Sequence, residues 1–180
     1  MPRLPIRLYG DPILKSSAKP VETVTDDIRQ LAADMFETMD AARGVGLASN
    51  QVGVLLRMIV VSVPTGKAGE PPYRAALVNP EVVEVSGQQT GDEGCLSFPS
   101  LYFEVKRAKR CKVRALGLDG QPMEVEAEGY LARALLHEID HLDGVLYFDR
   151  ITSIRRSLLR GKLDGIRRRG SVGETRGPDE

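Results

Sequence analysis

The sequence predicts an α+β fold, with helices toward both ends of the chain and antiparallel strands between them. Three stretches carry that prediction: "TDDIRQLAADMFETMDAARG" has apolar residues at helical spacing, "CKVRALGLDGQPMEVEA" folds back on itself across a tight turn, and "YLARALLHEIDHLD" returns to helical spacing. A chain of 180 residues fits one domain that buries roughly 70% of its unfolded surface. With 42% apolar and 28% charged residues, its composition excludes the disordered and fibrous classes.

The start, "MPRLPIRLYGDP", has neither the apolar run of a secretory signal nor the long Ser/Arg-rich run of a transit peptide, so cytoplasmic residence is expected. The first helix follows, with Ile28, Leu31, Ala32, Met35 and Met39 on one face, Thr25 as N-cap, Asp26 and Asp27 in the first turn and Gly44 as the stop. "VLLRMIVVSV" reads as a buried strand. It is too short to span a bilayer and is interrupted by Arg57, so no membrane partner is expected. "PTGKAGEPP" is a turn-rich connection, and "AALVNPEVVEVSG" is further strand, broken near Asn79 and Pro80.

In the hairpin, a three-residue loop of Leu118, Asp119 and Gly120 sets Lys112 against Glu126 and Arg114 against Glu124. The same register sets Val113 against Val125 and Ala115 against Met123. Gly120 then occupies the left-handed position that such loops favour. Cys111 falls on the apolar face and reads as a core thiol. Without an export signal, a disulfide to Cys95 is not expected.

Residues 130–143 form the next helix. Leu131, Leu135, Ile139 and Leu142 make a stripe suited to a core, and Tyr130, Ala134, His137 and His141 make a neighbouring one suited to a cavity wall. The chain's two histidines stand four apart with Glu138 between them. That spacing lets both imidazoles hold one ion while the glutamate handles a proton of its bound water. The plain alternative is a helix whose histidines are satisfied by ordinary hydrogen bonds. A third ligand is needed, and Cys95 in "GDEGCLSFPS" stands out because a thiolate binds divalent ions strongly, although alone such a cysteine reads as a small buried hydrophobe.

Three motifs in this order, "GVGLASNQVG" at 44–53, "EGCLS" at 93–97 and "HEIDH" at 137–141, resemble those of the peptide deformylases. The similarity runs from "LYGDPIL" to about residue 150. The resemblance implies antiparallel sheets packed around a central helix that carries the HExxH pattern, with an N-terminal and a C-terminal helix. It implies a metallohydrolase, of bacterial type, that removes the formyl group from N-formylmethionyl nascent peptides and releases formate. Cys95, His137 and His141 would hold one divalent ion, most commonly iron(II), with zinc, nickel or cobalt as the other ions considered. Glu138 would act as general base and acid, and the Gln51 amide and the Leu96 N–H would stabilise the oxyanion. Gly44 and Gly46 would let a peptide backbone lie alongside, and Val45, Tyr102, Tyr130 and Ala134 would border the methionine pocket. A Glu93–Arg107 pair would brace the "EGCLS" loop. The chain departs from the family pattern at Ser49, where alanine is usual, and at Asn50, often proline.

Formal net charge is zero, yet residues 150–169 carry eight basic side chains against the single acid Asp164. Their plain reading is a solvated helix face ending in a tail, which divides the chain into a catalytic domain at 1–165 and a basic, flexible tail at 166–180. In the sharper reading this segment meets ribosomal phosphate without sequence-specific nucleic-acid recognition, and Leu158, Leu159 and Leu163 hold its helix to the body. Two other functions compete with deformylation: a zincin-like metallopeptidase, and a catalytically silent metal-binding or ribosome-interaction module.

Overall fold

The stretch Met58–Val63 is apolar without alternation because both of its faces are covered. A computed structural model describes residues 3–177. The strands are β1 (Ile6–Arg7), β2 (Gly46–Ala48), β3 (Met58–Val63), β4 (Tyr73–Ser86), β5 (Gln89–Cys95), β6 (Phe98–Arg107), β7 (Arg110–Leu116), β8 (Pro122–Glu128) and β9 (Thr175–Arg176). The helices are α1 (Asp26–Ala41), α2 (Tyr130–Leu142), α3 (Ser153–Leu158) and α4 (Arg160–Ser171).

Five strands form an antiparallel sheet in the order β2-β3-β4-β7-β8, and β5–β6 and β1–β9 form two-stranded antiparallel sheets. Ile59, Val61 and Val63 of β3 pack in one cluster with Leu135, Ile139 and Leu142 of α2. Met58 and Val60 join the other cluster, with Ile28, Ala32, Met35 and Met39 of α1. Each fully buried Leu, Ile or Met in these clusters contributes roughly 1.5–3 kcal/mol. Helix α2 thus lies between the five-stranded sheet and the β5–β6 hairpin, which is the arrangement expected from the sequence.

The β7–β8 hairpin has the expected register, Lys112↔Glu126, Val113↔Val125, Arg114↔Glu124 and Ala115↔Met123. Gly117 N–H donates to the Gln121 carbonyl at 2.9 Å, closing the three-residue loop, and Gly120 is left-handed at φ 79°. Cys111 lies buried in the α2-facing cluster, and burial pushes its thiol up to about 11, as suits an inert core residue.

Local differences have identifiable causes. The strand expected from Val54 begins at Met58, because the preceding residues turn toward the N-terminal segment: Arg57 N–H donates to Lys19 O at 2.7 Å. The break expected near Asn79 is a bulge inside β4. There Asn79 is left-handed, its side chain accepts from Val21 N–H and donates to Val21 O, both at 2.8 Å. Thr25 precedes α1, but its side chain makes no capping bond.

The C-terminal segment docks in part as expected: Leu163 is buried and the half-buried Leu159 packs against the same cluster, whereas Leu158 is 81% exposed, and Ile166 and Gly170 are further buried positions. Residues 166–171, expected as the start of a tail, are the second half of α4. Thr175 and Arg176 then pair with Arg7 and Ile6. The end of that expected tail, residues 178–180, lies outside the described residues. An aromatic cluster supports this docking: Phe98 stacks on Tyr9 and meets Tyr147 edge-on, with ring centroids 4.9 Å apart in each pair.

Gly170 brings α4 against the residues that follow β1, since a Cβ there would collide with the Leu8 and Tyr9 carbonyl oxygens, whereas a Cβ at Gly161 meets nothing within 4 Å. Overpacking of this kind costs about 1–3 kcal/mol and should lower the thermal midpoint of Gly170→Leu by roughly 3–10 °C. Gly161→Leu should show no loss. Circular dichroism melts of the two variants check this, and equal midpoints would mean that α4 is not held at Gly170.

Candidate metal centre

Helical spacing on α2 brings His137 and His141 together, with ring centroids 5.0 Å apart, and both side chains are buried. The third group comes from far along the chain. Strand β5 ends at Cys95, which pairs with Phe98 across the turn Leu96–Ser97, and that turn delivers Sγ to 3.3 Å from His141 Nε2. One ligand atom from each of Cys95, His137 and His141 lies within 4.8 Å of the others.

A carboxylate fixes the histidine that faces it. His137 Nδ1 lies 2.9 Å from Glu93 Oε2, which leaves Nε2 for an ion. Glu93 also accepts from Arg107 Nε at 2.5 Å, Arg107 Nη2 at 2.9 Å and Arg133 Nη1 at 2.9 Å. Burial alone would raise the Glu93 carboxyl, but hydrogen bonds from His137 and Arg107 outweigh it and hold the pKa at about 2. Arg107 continues to Asp140 at 2.8 Å, and Asp140 accepts from Arg150 at 2.6 Å. Arg133 also donates to Val105 O at 2.9 Å and Gly91 O at 3.2 Å, tying the β5–β6 hairpin to α2.

The remaining polar groups suit a cation. His141 Nδ1 and Glu138 Oε2 are buried without a hydrogen-bond partner among the described residues. Burial would lower His137, but contacts to Cys95, Glu93 and Glu138 raise it well above the ordinary imidazole value. Burial, together with His137 and Arg107, pushes His141 well below that value, toward the neutral form that a metal requires. Two imidazoles and a thiol, held in this way, fit a divalent transition metal.

Burial raises the Glu138 carboxyl to about 7; Glu93 adds to the rise, while His137 and Arg107 oppose it. Glu138 rests against Gly46, where a Cβ would come within 2.5 Å of Oε1. Gln51 is oriented from behind: its Oε1 accepts from Ala48 N–H at 2.9 Å, which turns Nε2 toward Ser97 Oγ at 3.2 Å and Cys95 Sγ at 3.5 Å.

Cys95, His137 and Glu138 open onto a cleft of about 730 Å³, whereas Gln51 and His141 are buried and not on its lining. Gly44, Val45, Gly46, Leu96, Tyr102 and Tyr130 line it as the sequence suggested, with Cys95, His137 and Glu138 on the same wall. Ala134 does not; it is buried beside Leu135 in the core cluster. The Glu93–Arg107 pair is present and fully buried. Sequence reasoning missed Arg133, Asp140 and Asn50. Arg133 stands four residues before His137, on the histidine side of the helix, and that spacing was the available signal. Asn50, which looked like a simple departure in a motif, donates its amide to the His141 carbonyl.

Comparison with known proteins agrees with this geometry. Residues 3–157 match the family model described as polypeptide deformylase. A peptide deformylase of Alkalilimnicola ehrlichii is 47% identical over 169 residues, which cover 94% of this chain and 93% of that protein. The crystal structure of peptide deformylase from Thermus thermophilus superposes with a TM-score of 0.84 at 40% identity, covering 93% of this chain and 99% of that one. The Ehrlichia chaffeensis peptide deformylase in complex with actinonin superposes with a TM-score of 0.85 at 35% identity, covering 94% and 98%.

Because Glu93 orients His137, Glu93→Gln should weaken binding of a divalent ion by roughly 10–100-fold, the usual effect of losing such a partner. Competition against a chromophoric chelator measures it. Unchanged affinity would show that the carboxylate does not support the ligand.

Proposed function

Since the chain belongs to the peptide deformylase family, we propose that it hydrolyses the formyl amide of N-formylmethionyl peptides, releasing formate and the free amine, with Cys95, His137 and His141 holding the ion. The observation that carries this assignment of roles is the convergence of those three ligands beside the unpartnered Glu138 carboxyl oxygen. Iron(II) is the proposed resident ion, and zinc, nickel and cobalt suit the same mixed thiolate and imidazole donors. When bound, the ion supplies a Lewis acid and a water of lowered pKa.

The chain's own residues supply the rest. Glu138, with a carboxyl raised to about 7, takes a proton from the attacking water and returns it to the departing amine; a cation alongside lowers that value and favours the basic form. The Gln51 amide and the Leu96 N–H face the oxygen on which charge develops. Strand β2 is an edge of the five-stranded sheet, so its outer side accepts the substrate backbone as an added strand, and Gly44 and Gly46 keep that approach open. Val45, Tyr102 and Tyr130 border the methionine side chain.

No described helix is long and apolar enough to cross a membrane. We place the enzyme in the cytoplasm, among nascent chains, and the basic segment supports a ribosomal contact: Arg168 is exposed on α4 beside Arg167 and Arg169, which also pair with Asp164 and Glu174.

Two measurements test these roles. Glu138→Ala should retain its metal yet release formate from formyl-Met-Ala-Ser at least roughly a hundredfold more slowly; near-normal turnover would remove Glu138 from the mechanism. Replacing Arg167, Arg168 and Arg169 with Gln should weaken co-sedimentation with ribosomes and flatten its salt dependence, because fewer phosphate counterions are released. Identical binding across a salt series would return the segment to a solvated helix face.

A further inference from the structure

Most arginines of this chain meet a carboxylate: Arg57 pairs with Asp143, Arg74 with Asp40, Arg110 with Glu128 and Arg155 with Glu104. Arg43 and Arg176 have no carboxylate within ion-pair distance among the described residues, yet both line the cleft that holds Cys95, His137 and Glu138. Among the described residues Glu138 is the one acidic residue on that lining, and it is buried beside the ligands. The rest of the wall is therefore net positive.

Both cations are placed by backbone structure. Arg43 follows the end of α1, where its N–H donates to Asp40 O at 3.0 Å and Gly44 N–H donates to Met39 O at 2.8 Å. It is left-handed, at φ 55°, in a position that glycine occupies at many helix ends. An arginine there gives up conformational energy that a glycine would keep, and strain retained on the wall of an active site points to a use for the side chain. Arg176 reaches the cleft because β9 pairs with β1, with Arg176 opposite Ile6. Strand β9 lies beyond the residues that match the family model, so this cation is supplied by the chain's own C-terminal segment.

We propose that Arg43 and Arg176 make the enzyme selective for N-formylmethionyl peptides that carry acidic side chains in the residues after the methionine. The inference rests on the deformylase reading, which puts the formyl group at the metal and sends the following residues outward along β2. Charges on those residues then meet two guanidinium groups that no carboxylate among the described residues neutralises. A cleft with low-dielectric walls focuses that field, and added salt screens it.

The test measures kcat/KM for three peptides: formyl-Met-Ala-Ser-Ser, and the same peptide with Glu-Glu or Lys-Lys in place of Ser-Ser. At low ionic strength the wild-type protein should favour the Glu peptide over the Lys peptide by roughly five- to tenfold, the scale of two exposed charge pairs, and the ratio should shrink in high salt. The Arg43→Gln/Arg176→Gln protein should lose the preference, and the Arg43→Glu/Arg176→Glu protein should reverse it. Each ratio is taken within one preparation, so differences in the amount of active protein cancel. Turnover of the neutral peptide with equal rates for the charged ones, or a preference that survives in both double variants, overturns the selectivity alone. Failure of the wild-type protein to release formate from the neutral peptide overturns the deformylase reading and this inference with it.

Discussion

The buried Glu93 carboxylate is the contact on which the rest of the site depends. It meets four donor nitrogens from three side chains, two of them arginines and the third His137, at distances of 2.5–2.9 Å. A carboxylate so deeply buried would be costly alone, because its hydration is lost and an isolated charge in a dry interior is strongly disfavoured. Here each carboxylate is compensated: Glu93 meets Arg107 and Arg133, and Asp140 meets Arg107 and Arg150. Glu93, Arg107, Arg133 and Asp140 connect β5, β6 and α2. One electrostatic cluster therefore joins the strand that ends in Cys95 to the helix that carries both histidines, so Cys95 keeps its spacing from them without sharing their backbone element.

Small residues set where the groups can stand. Gly46 leaves room for the Glu138 carboxyl, and Gly94 leaves room for the Tyr102 ring, since a Cβ at either position would overlap its neighbour. Helix α2 is held at its far end as well. Ala18 N–H donates to Leu142 O at 2.8 Å and Gly144 N–H to His141 O at 3.0 Å, so carbonyls that a helix leaves unpaired are satisfied next to a ligand. The deformylase site is thus braced from both ends of one helix.

How much of this could be read from the sequence follows from the range of each interaction. The β7–β8 register was legible because turn chemistry and charge pairing act within a few residues and agreed with each other. The histidine pair was legible for the same reason, being fixed by one helical turn. Cys95 was legible only as the thiolate left to complete a site once both histidines were used, whereas Gln51 and the Glu93–Arg107 pair lie too far apart for local rules and emerged beside the family resemblance. Arg133 and Asp140 stayed hidden, because a charged residue on an amphipathic helix normally reads as solvated, and only the arrival of β5 and β6 over that face turns it inward. The docking of the C-terminal helices was legible only in part. Leu159 and Leu163 stand four residues apart and pack against the same core cluster, whereas Leu158 lies about 100° further round and is exposed.

Ser49 and Asn50 show what a departure from a motif can mean once its surroundings are known. Alanine or proline at these positions offers no side-chain donor. In this chain both side chains are fully buried and both donate, Ser49 to the Leu56 carbonyl and Asn50 to the carbonyl of His141. The first bond fastens the loop that follows β2 to the approach of β3. The second joins that loop to the last turn of α2, directly at a metal ligand. Asn50 also leaves its own Oδ1 without a partner, which offsets part of what the amide contributes. Because the loop carries Gln51 and the helix carries His141, this tether couples the side of the site proposed to bind the oxyanion to the side proposed to bind the metal. A side chain that costs little in the motif thereby fixes the distance between two parts of the site.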